Sequence, residues 1–279
     1  MIWFDGTVSE TAVRPFDLAD RGLLLSDGVF DTLAVFGGVP FRLEAHLARL
    51  QAAAAALGFA ADAGEARQAV ADLIAAAGGG RAVIRLTLTR GSGPRGLVPP
   101  QAPRPRLIAG LAPWNPALAF SPVRLATAAI RRNETSPAAR LKTLAYLDNV
   151  LAFTAARQAG ADDALFLNSR GMPVCSALAN LFAFSGDTLL TAPPADGVLE
   201  GITRAAVIAV ARALGLAVRE AAPDPDRLSQ GAAFLTNSVR LIMPVAAIDG
   251  AALPPHPAVP EIAAGLRRAI AAECGDDLT

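Results

Sequence analysis

The stretch RLKTLAYLDNVLA, residues 140–152, contains Lys142, which is the only lysine of the 279-residue chain. All the other basic residues, out of 25 in total, are arginines. An arginine guanidinium stays protonated, whereas a lysine amine can lose its proton and attack a carbonyl to form a Schiff base. Lys142 is therefore a candidate covalent anchor. The alternative is a solvated lysine left over from a drift toward arginine.

Composition and charge narrow the class of protein. The 25 basic and 25 acidic residues balance, which favours neither nucleic acid nor an anionic membrane as a partner. The N-terminal sequence MIWFDGTVSE lacks the segments of a signal peptide, and no apolar run is long enough to span a membrane. We therefore expect a cytoplasmic protein that acts on a small metabolite. The two cysteines and two histidines supply neither a disulfide framework nor a zinc site.

Apolar runs of strand length alternate with longer alanine-rich segments of helical period, a pattern typical of a mixed α and β protein. The sequence GVFDTLAVFGGVPF, residues 28–41, predicts a hairpin that turns at Gly37-Gly38. Further along the chain, prolines interrupt the pattern over residues 114–122. We therefore expect an N-terminal domain over residues 1–113 and a C-terminal domain over residues 123–279.

Seven stretches, taken together, resemble the fold type IV pyridoxal 5'-phosphate (PLP) enzymes, which include branched-chain and D-amino-acid aminotransferases and aminodeoxychorismate lyases. They occur in that family's order, with the only lysine at the family's Schiff-base position. The stretches are DLADRGLLLSDGVFDTL (17–33), EAHLARL (44–50), LTRGSGPRGLVP (88–99), RLKTLAYLDNVLA (140–152), ANLF (179–182), LEGITR (199–204) and FLTNSVRLIMPV (234–245). The resemblance implies a two-domain α/β fold, with a smaller N-terminal α/β domain, a larger C-terminal domain and PLP between them.

The resemblance implies that Lys142 holds PLP as a Schiff base and later carries the proton of the substrate. It also implies that Arg49, in EAHLARL, binds the cofactor phosphate with a bidentate guanidinium. Without a cofactor, Arg49 would be a solvated arginine on a helix face.

A second part of the phosphate site is expected in LEGITR. Gly201, Ile202 and Thr203 open a predicted helix, whose unpaired N–H groups and positive dipole end could hold a phosphate. Ser238, with Asn237, lies at the end of a predicted strand and could close this site. The alternative is an ordinary loop in which Thr203 caps the helix.

Tyr146, the only tyrosine, follows Lys142 by four residues at the start of a predicted helix that ends at Gly160. It could lie one helical turn from the lysine, with its hydroxyl toward the cofactor ring oxygen. A half-buried helix tyrosine without such a role is the equal alternative.

Substrate-binding residues are expected in two places. Arg95 lies in the glycine- and proline-rich loop RGSGPRGL, which in the family reaches the substrate carboxylate, sometimes across a dimer interface; otherwise Arg90 and Arg95 are solvated charges. Phe30 and Leu97 occupy positions where the D-amino-acid enzymes have tyrosine and histidine. The complete carboxylate trap of those enzymes is therefore absent, which does not favour a D-alanine type of specificity.

Cys175 stands where the resemblance places a glutamate that pairs with the pyridine nitrogen, five residues before Asn180. A carboxylate keeps that nitrogen protonated, whereas a thiol is a weak donor with little charge at neutral pH. Another acid such as Asp31 or Glu134 could serve the ring, the pyridine could stay neutral, or PLP could bind with little turnover. Without a cofactor role, Cys175 would be a small buried apolar residue.

These features predict a homodimeric class IV aminotransferase that moves an amino group between an amino acid or amine and a 2-oxo acid. The close alternative is an aminodeoxychorismate lyase, which forms 4-aminobenzoate and pyruvate. The segments RGSGPRGL and FLTNSVRLIMPV also resemble the lyases, whereas AYLDNVLA resembles the transaminases at least as much. A third hypothesis, motivated by Cys175, is a PLP-binding protein with little turnover.

Overall fold

Strand-length and helix-length segments alternate along the chain and form a mixed α/β fold, as the sequence pattern predicts. The computed structural model describes residues 1–278, which form two compact units. The first unit contains Met1–Trp114, Leu141–Ala145 and the chain from Ile270 onward; the second contains Asn115–Arg140 and Tyr146–Ala269. The expected boundary treats 123–279 as one stretch, whereas two of its segments, including the one with Lys142, return to the first unit.

The first unit is built on a six-stranded sheet in which all neighbouring strands are antiparallel. Its elements are β1 Ile2–Phe4, β2 Thr7–Ser9, α1 Arg21–Leu25, β3 Gly28–Phe36, β4 Val39–Pro40, α2 Leu43–Ala56, α3 Ala63–Ala76, β5 Ala82–Thr89 and β6 Arg106–Pro113. The strand order is β2-β1-β6-β5-β3-β4. Leu47 and Leu50 of α2 and Leu73 of α3 pack with Leu33 and Ile84 of the sheet in one core.

The predicted hairpin is confirmed. Strands β3 and β4 are joined at Gly37 and Gly38, whose φ angles of 57° and 79° lie in the left-handed region that favours glycine. Helix α2 follows the hairpin and ends before Gly58, which also has a positive φ of 82°. The helix that carries His46 and Arg49 thus lies between the hairpin and Gly58.

The second unit contains nine strands and the remaining helices, except for the end of α7. Its elements are β7 Val123–Thr127, α4 Leu147–Gln158, β8 Asp163–Leu167, β9 Pro173–Ser176, β10 Asn180–Ser185, β11 Thr188–Thr191, α5 Ile202–Ala213, β12 Ala217–Glu220, α6 Pro225–Leu228, β13 Ala233–Asn237, β14 Leu241–Ile248 and β15 Ala251–Ala252. Helix α7, Ala258–Cys274, begins in this unit, and its residues from Ile270 onward belong to the first. The strand order is β12-β11-β10-β13-β14-β7-β8-β9, and β15 pairs with β14.

Six strands of this sheet close into a ring, because β9 pairs with β10 as well as with β8. The closing contact is a single residue pair, Cys175 and Asn180. Side chains on alternate positions form two different cores. Leu165 and Leu181 belong to one core, whereas Phe166 and Cys175 pack in the other with residues of α4.

Helix α7 is the main element that the sequence pattern missed. The pattern predicts LIMPVAAIDG as the last strand, which is β14, and four prolines follow it between residues 254 and 260. Three of them precede α7, and Pro260 lies in its first turn, where the missing N–H forms no helical hydrogen bond. None of the helices within residues 1–278 is long and apolar enough to cross a membrane.

Candidate active site

Lys142 lies on a short segment that pairs with the start of β3. The amide of Phe30 donates to the carbonyl oxygen of Lys142 at 2.8 Å, and the amide of Leu144 donates to the carbonyl oxygen of Gly28 at 3.0 Å. Gly28 permits this approach, because a Cβ atom there would lie 2.6 Å from the carbonyl oxygen of Leu88 and 2.8 Å from Cδ1 of Leu144. The backbone therefore fixes the position of the lysine along β3.

The amine of Lys142 lies over the ring of Phe30, with Nζ 4.3 Å from the ring centroid. The guanidinium of Arg85 contacts the same ring, with Cζ 3.7 Å from the centroid. Phe30 is only 5% exposed, so its ring forms an apolar wall beside the nitrogen. The lysine and the residue expected on the substrate side are thus neighbours. Arg85 was not identified from the sequence, because an arginine within a strand gives no signal of this contact.

Asp31 follows Phe30 on β3 and faces the opposite side of the sheet. Its carboxylate accepts hydrogen bonds from Nε and Nη2 of Arg49 at 2.8 and 2.7 Å, and Nδ1 of His46 lies 2.8 Å from Oδ1. Burial alone would raise the pKa of Asp31, but the charge of Arg49 and the bonds from both partners hold that pKa well below its usual range. Nε and Nη2 of Arg49 are therefore used by Asp31, and this edge of the guanidinium cannot also make a bidentate contact with a phosphate.

Helix α5 begins at Ile202 without a side-chain cap, because its N-cap residue is Gly201. A Cβ atom at Gly201 would lie 2.0 Å from Oδ1 of Asn180, so the position requires glycine. Asn180 is itself fixed, since its Nδ2 donates to the carbonyl oxygen of Leu199 at 2.8 Å. The first turn of α5 presents backbone N–H groups and the positive end of the helix dipole, which together can bind an anion.

Two hydroxyl groups lie at this helix start. The Oγ1 atom of Thr203 and the Oγ atom of Ser238 are 3.4 Å apart. Asn237 has a different role, because its Oδ1 accepts hydrogen bonds from the amides of Val239 and Arg240 at 3.0 and 2.7 Å. The Asn237 side chain therefore stabilises the turn after β13, and Ser238 is the member of this pair whose side chain reaches α5.

Cys175 lies in register with Asn180 on one side and Phe166 on the other. Burial raises the pKa of the Cys175 thiol, and the Arg132 guanidinium beside it acts in the opposite direction. The thiol is therefore protonated at neutral pH. Arg132 lies over the ring of Phe166, and its Nε atom is buried without a hydrogen-bond partner in the described part of the chain.

The two carboxylates considered as substitutes for the missing glutamate both bind other groups. Asp31 pairs with Arg49 and His46. Glu134 accepts hydrogen bonds from the hydroxyl and the amide of Ser169, at 2.6 and 3.1 Å. Cys175 is thus a buried thiol beside a guanidinium. No sequence pattern indicates Arg132, which lies in an irregular segment ten residues before Lys142.

Tyr146 is the N-cap residue of α4 and does not share a helix with Lys142. The expected separation of one helical turn is therefore wrong, because residues 142–144 pair with β3 in an extended conformation. Of the other candidates, the first unit contains Phe30, Arg49, Arg95 and Leu97, and the second contains Cys175, Gly201, Ile202, Thr203, Asn237 and Ser238.

These donor groups fit two of the three functional parts of PLP. Within the first unit, Lys142 has an amine that suits the aldehyde, and within the second unit the start of α5 has N–H groups and hydroxyls that suit the phosphate. The N-cap residue Gly201 has no side chain to cap those N–H groups. The third part of PLP, the pyridine nitrogen, is not matched, because Cys175 has a thiol where a carboxylate is expected.

Residues 28–248 match the family described as amino-transferase class IV. A protein of Methanocaldococcus jannaschii, provisionally named as a branched-chain-amino-acid aminotransferase, is 32% identical over 255 residues. That match covers 89% of this chain and 88% of the other protein.

Two solved structures show the same fold over almost the whole chain. The branched-chain aminotransferase of Thermoproteus uzoniensis superposes with a TM-score of 0.89 at 27% identity, covering 98% of this chain and 94% of that one. The 4-amino-4-deoxychorismate lyase of Pseudomonas aeruginosa superposes with a TM-score of 0.86 at 31% identity, covering 96% of this chain and 98% of that one. The similarity extends equally to a transaminase and a lyase.

We expect Arg49→Ala to lower the free energy of unfolding by about 3–5 kcal/mol, because it removes the main partner of a fully buried carboxylate. The matched control is Arg67→Ala, which breaks an exposed ion pair with Glu44 (Nη2 to Oε2, 2.7 Å) and should cost less than about 1 kcal/mol. Urea unfolding of both variants at pH 7 provides the comparison.

The same comparison has a pH dependence. Because the pKa of Asp31 is lowered by folding, its contribution to stability is complete above about pH 4 and is lost as the pH falls toward the lowered value. The difference between wild type and Arg49→Ala should therefore shrink below about pH 4. Equal losses in the two variants at pH 7 would contradict the role assigned to this buried pair.

Proposed function

The chain belongs to the class IV aminotransferase family, and we propose that it uses PLP bound through Lys142 to move an amino group between an amino acid or amine and a 2-oxo acid. The observation that supports this most strongly is the setting of the only lysine. Its backbone is hydrogen-bonded to β3 at Phe30, and its amine lies over the ring of that residue.

When bound, PLP supplies an aldehyde that condenses with amines and a ring that withdraws electrons from the attached carbon, more strongly when the ring nitrogen is protonated. Lys142 binds the aldehyde through Nζ, since no other side chain carries an aliphatic amine. With a substrate amine on the aldehyde, the free Nζ would take the proton from the substrate α-carbon and would pass it to C4′ of the cofactor. Phe30 limits the positions that this nitrogen can adopt.

The phosphate is assigned to the start of α5. Backbone N–H groups from Gly201 to Thr203 and the hydroxyls of Thr203 and Ser238 supply neutral donors, aided by the helix dipole. Arg49 stays in the proposal as a source of positive charge for the phosphate, in addition to its pairing with Asp31. Tyr146 remains the candidate for the ring oxygen.

Substrate recognition is assigned to Arg95, with Phe30 and Leu97 on the apolar side. Arg95 has the charge and the planar geometry that suit a carboxylate. The loop is exposed, as are Leu23 and Leu24 of α1, and these apolar side chains support assembly into a homodimer. A cytoplasmic location is part of the same proposal.

A second candidate function is the lyase reaction that converts aminodeoxychorismate to 4-aminobenzoate and pyruvate. The similarity to the Pseudomonas aeruginosa lyase favours it. Both reactions require the same lysine to remove a proton from the substrate α-carbon. They differ in whether a substituent is then expelled from the substrate ring, so the residues described above serve either one. A third candidate function, motivated by Cys175, is the binding of PLP with little turnover.

A panel of substrates separates the three functions. The PLP-loaded protein is incubated with D- and L-amino acids, (R)- and (S)-amines and aminodeoxychorismate. We expect conversion of the cofactor to pyridoxamine phosphate with at least one amino donor, and no such conversion in Lys142→Arg, which has no free amine. Release of pyruvate from aminodeoxychorismate, without pyridoxamine phosphate, would identify the lyase. If neither pyridoxamine phosphate nor pyruvate forms, only a binding function remains.

The Cys175 position gives a second prediction. Cys175→Glu places a carboxylate beside the Arg132 guanidinium, so the variant should fold and bind PLP, and its amino-donor half-reaction should be faster than that of the isosteric control Cys175→Gln. The two variants bury side chains of the same size, so overpacking affects both equally. Stopped-flow absorbance measures both rates. Equal rates and equal spectra would show that residue 175 does not serve the ring nitrogen.

A further inference from the structure

Arg21 is a buried arginine beneath an exposed loop of the first unit. Only 4% of the residue is exposed. Its Nη1 donates to the carbonyl oxygens of Gly96 and Val98 at 3.1 and 3.3 Å, and its Nη2 donates to the carbonyl oxygen of Leu97 at 3.1 Å. One guanidinium therefore binds three consecutive carbonyl groups of the loop.

The side chains of the loop do not pack against the rest of the unit and so do not fix its conformation. It has no helix or strand over residues 94–99, and Leu97 and Val98 are 83% and 75% exposed. Ordering exposed residues costs conformational entropy that no burial of these side chains repays. Near the loop's base, the Ser92 hydroxyl donates to Asp17, but the tip is joined to the rest of the unit through Arg21.

Arg21 is one of two arginines that share a carboxylate. Oδ2 of Asp27 accepts from Nε of Arg21 at 2.8 Å and from Nε of Arg90 at 2.7 Å. Burial alone would raise the pKa of Asp27, but the bonds from Arg90 and Arg21 hold it below its usual range. Arg90 reaches a different segment, because it donates to the carbonyl oxygens of Leu57 and Gly58 at the end of α2. The two arginines have the same partner and similar burial, and they differ in the segment that each holds.

We propose that Arg21 is a positioning residue for substrate recognition, which holds the loop that presents Arg95 and Leu97. It acts through the backbone of the loop and needs no contact with the substrate. A buried cation has a large desolvation cost. Here the buried Arg21 forms hydrogen bonds that hold the shape of a loop with exposed apolar side chains. Such a fixed shape serves binding at the loop. The role in substrate recognition rests on the function proposed above.

The test compares Arg21→Gln with Arg90→Gln in the PLP-loaded protein. Both variants remove one arginine from Asp27 and add no lysine. Two measurements are made: the rate of trypsin cleavage at the Arg95–Gly96 bond, identified by peptide mapping, and the KM and kcat for the 2-oxo acid with a fixed amino donor. For Arg21→Gln we expect cleavage and KM to rise about tenfold, with kcat and cofactor absorbance within about twofold of wild type. For Arg90→Gln we expect neither rise.

Arg21→Lys covers the case in which Arg21→Gln does not fold. It keeps a charge next to Asp27 but lacks the planar fork that spans three carbonyls, so it should show the same two effects. Equal cleavage at Arg95 in wild type and the Arg21 variants, or equal increases in the Arg21 and Arg90 variants, would overturn the loop assignment. Increased cleavage with an unchanged KM would overturn the role in recognition. The cleavage measurement does not depend on turnover, so absence of transamination in wild type would refute the proposed function separately.

Discussion

The backbone pairing between residues 142–144 and the start of β3 is the constraint on which the proposed chemistry of this chain depends. It fixes the Cα atom of the only lysine, while the side chain stays able to change partners. Two hydrogen bonds make the pairing, and Gly28 makes it sterically possible, because a Cβ atom there would meet both Leu88 and Leu144. A lysine that binds an aldehyde, releases it and moves a proton needs such a fixed origin for a flexible amine.

Buried ionic groups hold the surroundings of that segment in the first unit. The buried Asp31 and the partly buried Asp27 each accept hydrogen bonds from two basic side chains, so neither carboxylate is left unpaired. One cluster fixes α2 against β3, and the other fixes the loop near Arg95. The second unit departs from this rule at Arg132, whose Nε has no partner among residues 1–278, next to a thiol where related enzymes are expected to have a carboxylate.

The sequence was sufficient for most of the fold, because the strands and helices carry clear apolar periods and the turns carry glycines. The resemblance also singled out the lysine and the start of α5. It did not reveal that Arg49 binds Asp31, since two residues 18 positions apart meet only after α2 packs on β3. The expected helical turn between Lys142 and Tyr146 is wrong for a related reason. The spacing of four residues suggests a helical turn, but tertiary pairing with β3 extends the chain before α4 begins.

Borohydride reduction of the PLP-loaded protein, followed by peptide mapping, tests the central assignment most directly. Lys142 is the only lysine of the sequence, and the amine of Met1, which donates to the carbonyl oxygen of Leu111 at 3.1 Å, is the competing site for the label. The account predicts a stable pyridoxyl group on the peptide that contains Lys142. A pyridoxyl group found only on the N-terminal amine, with the Lys142 peptide unmodified, would contradict it.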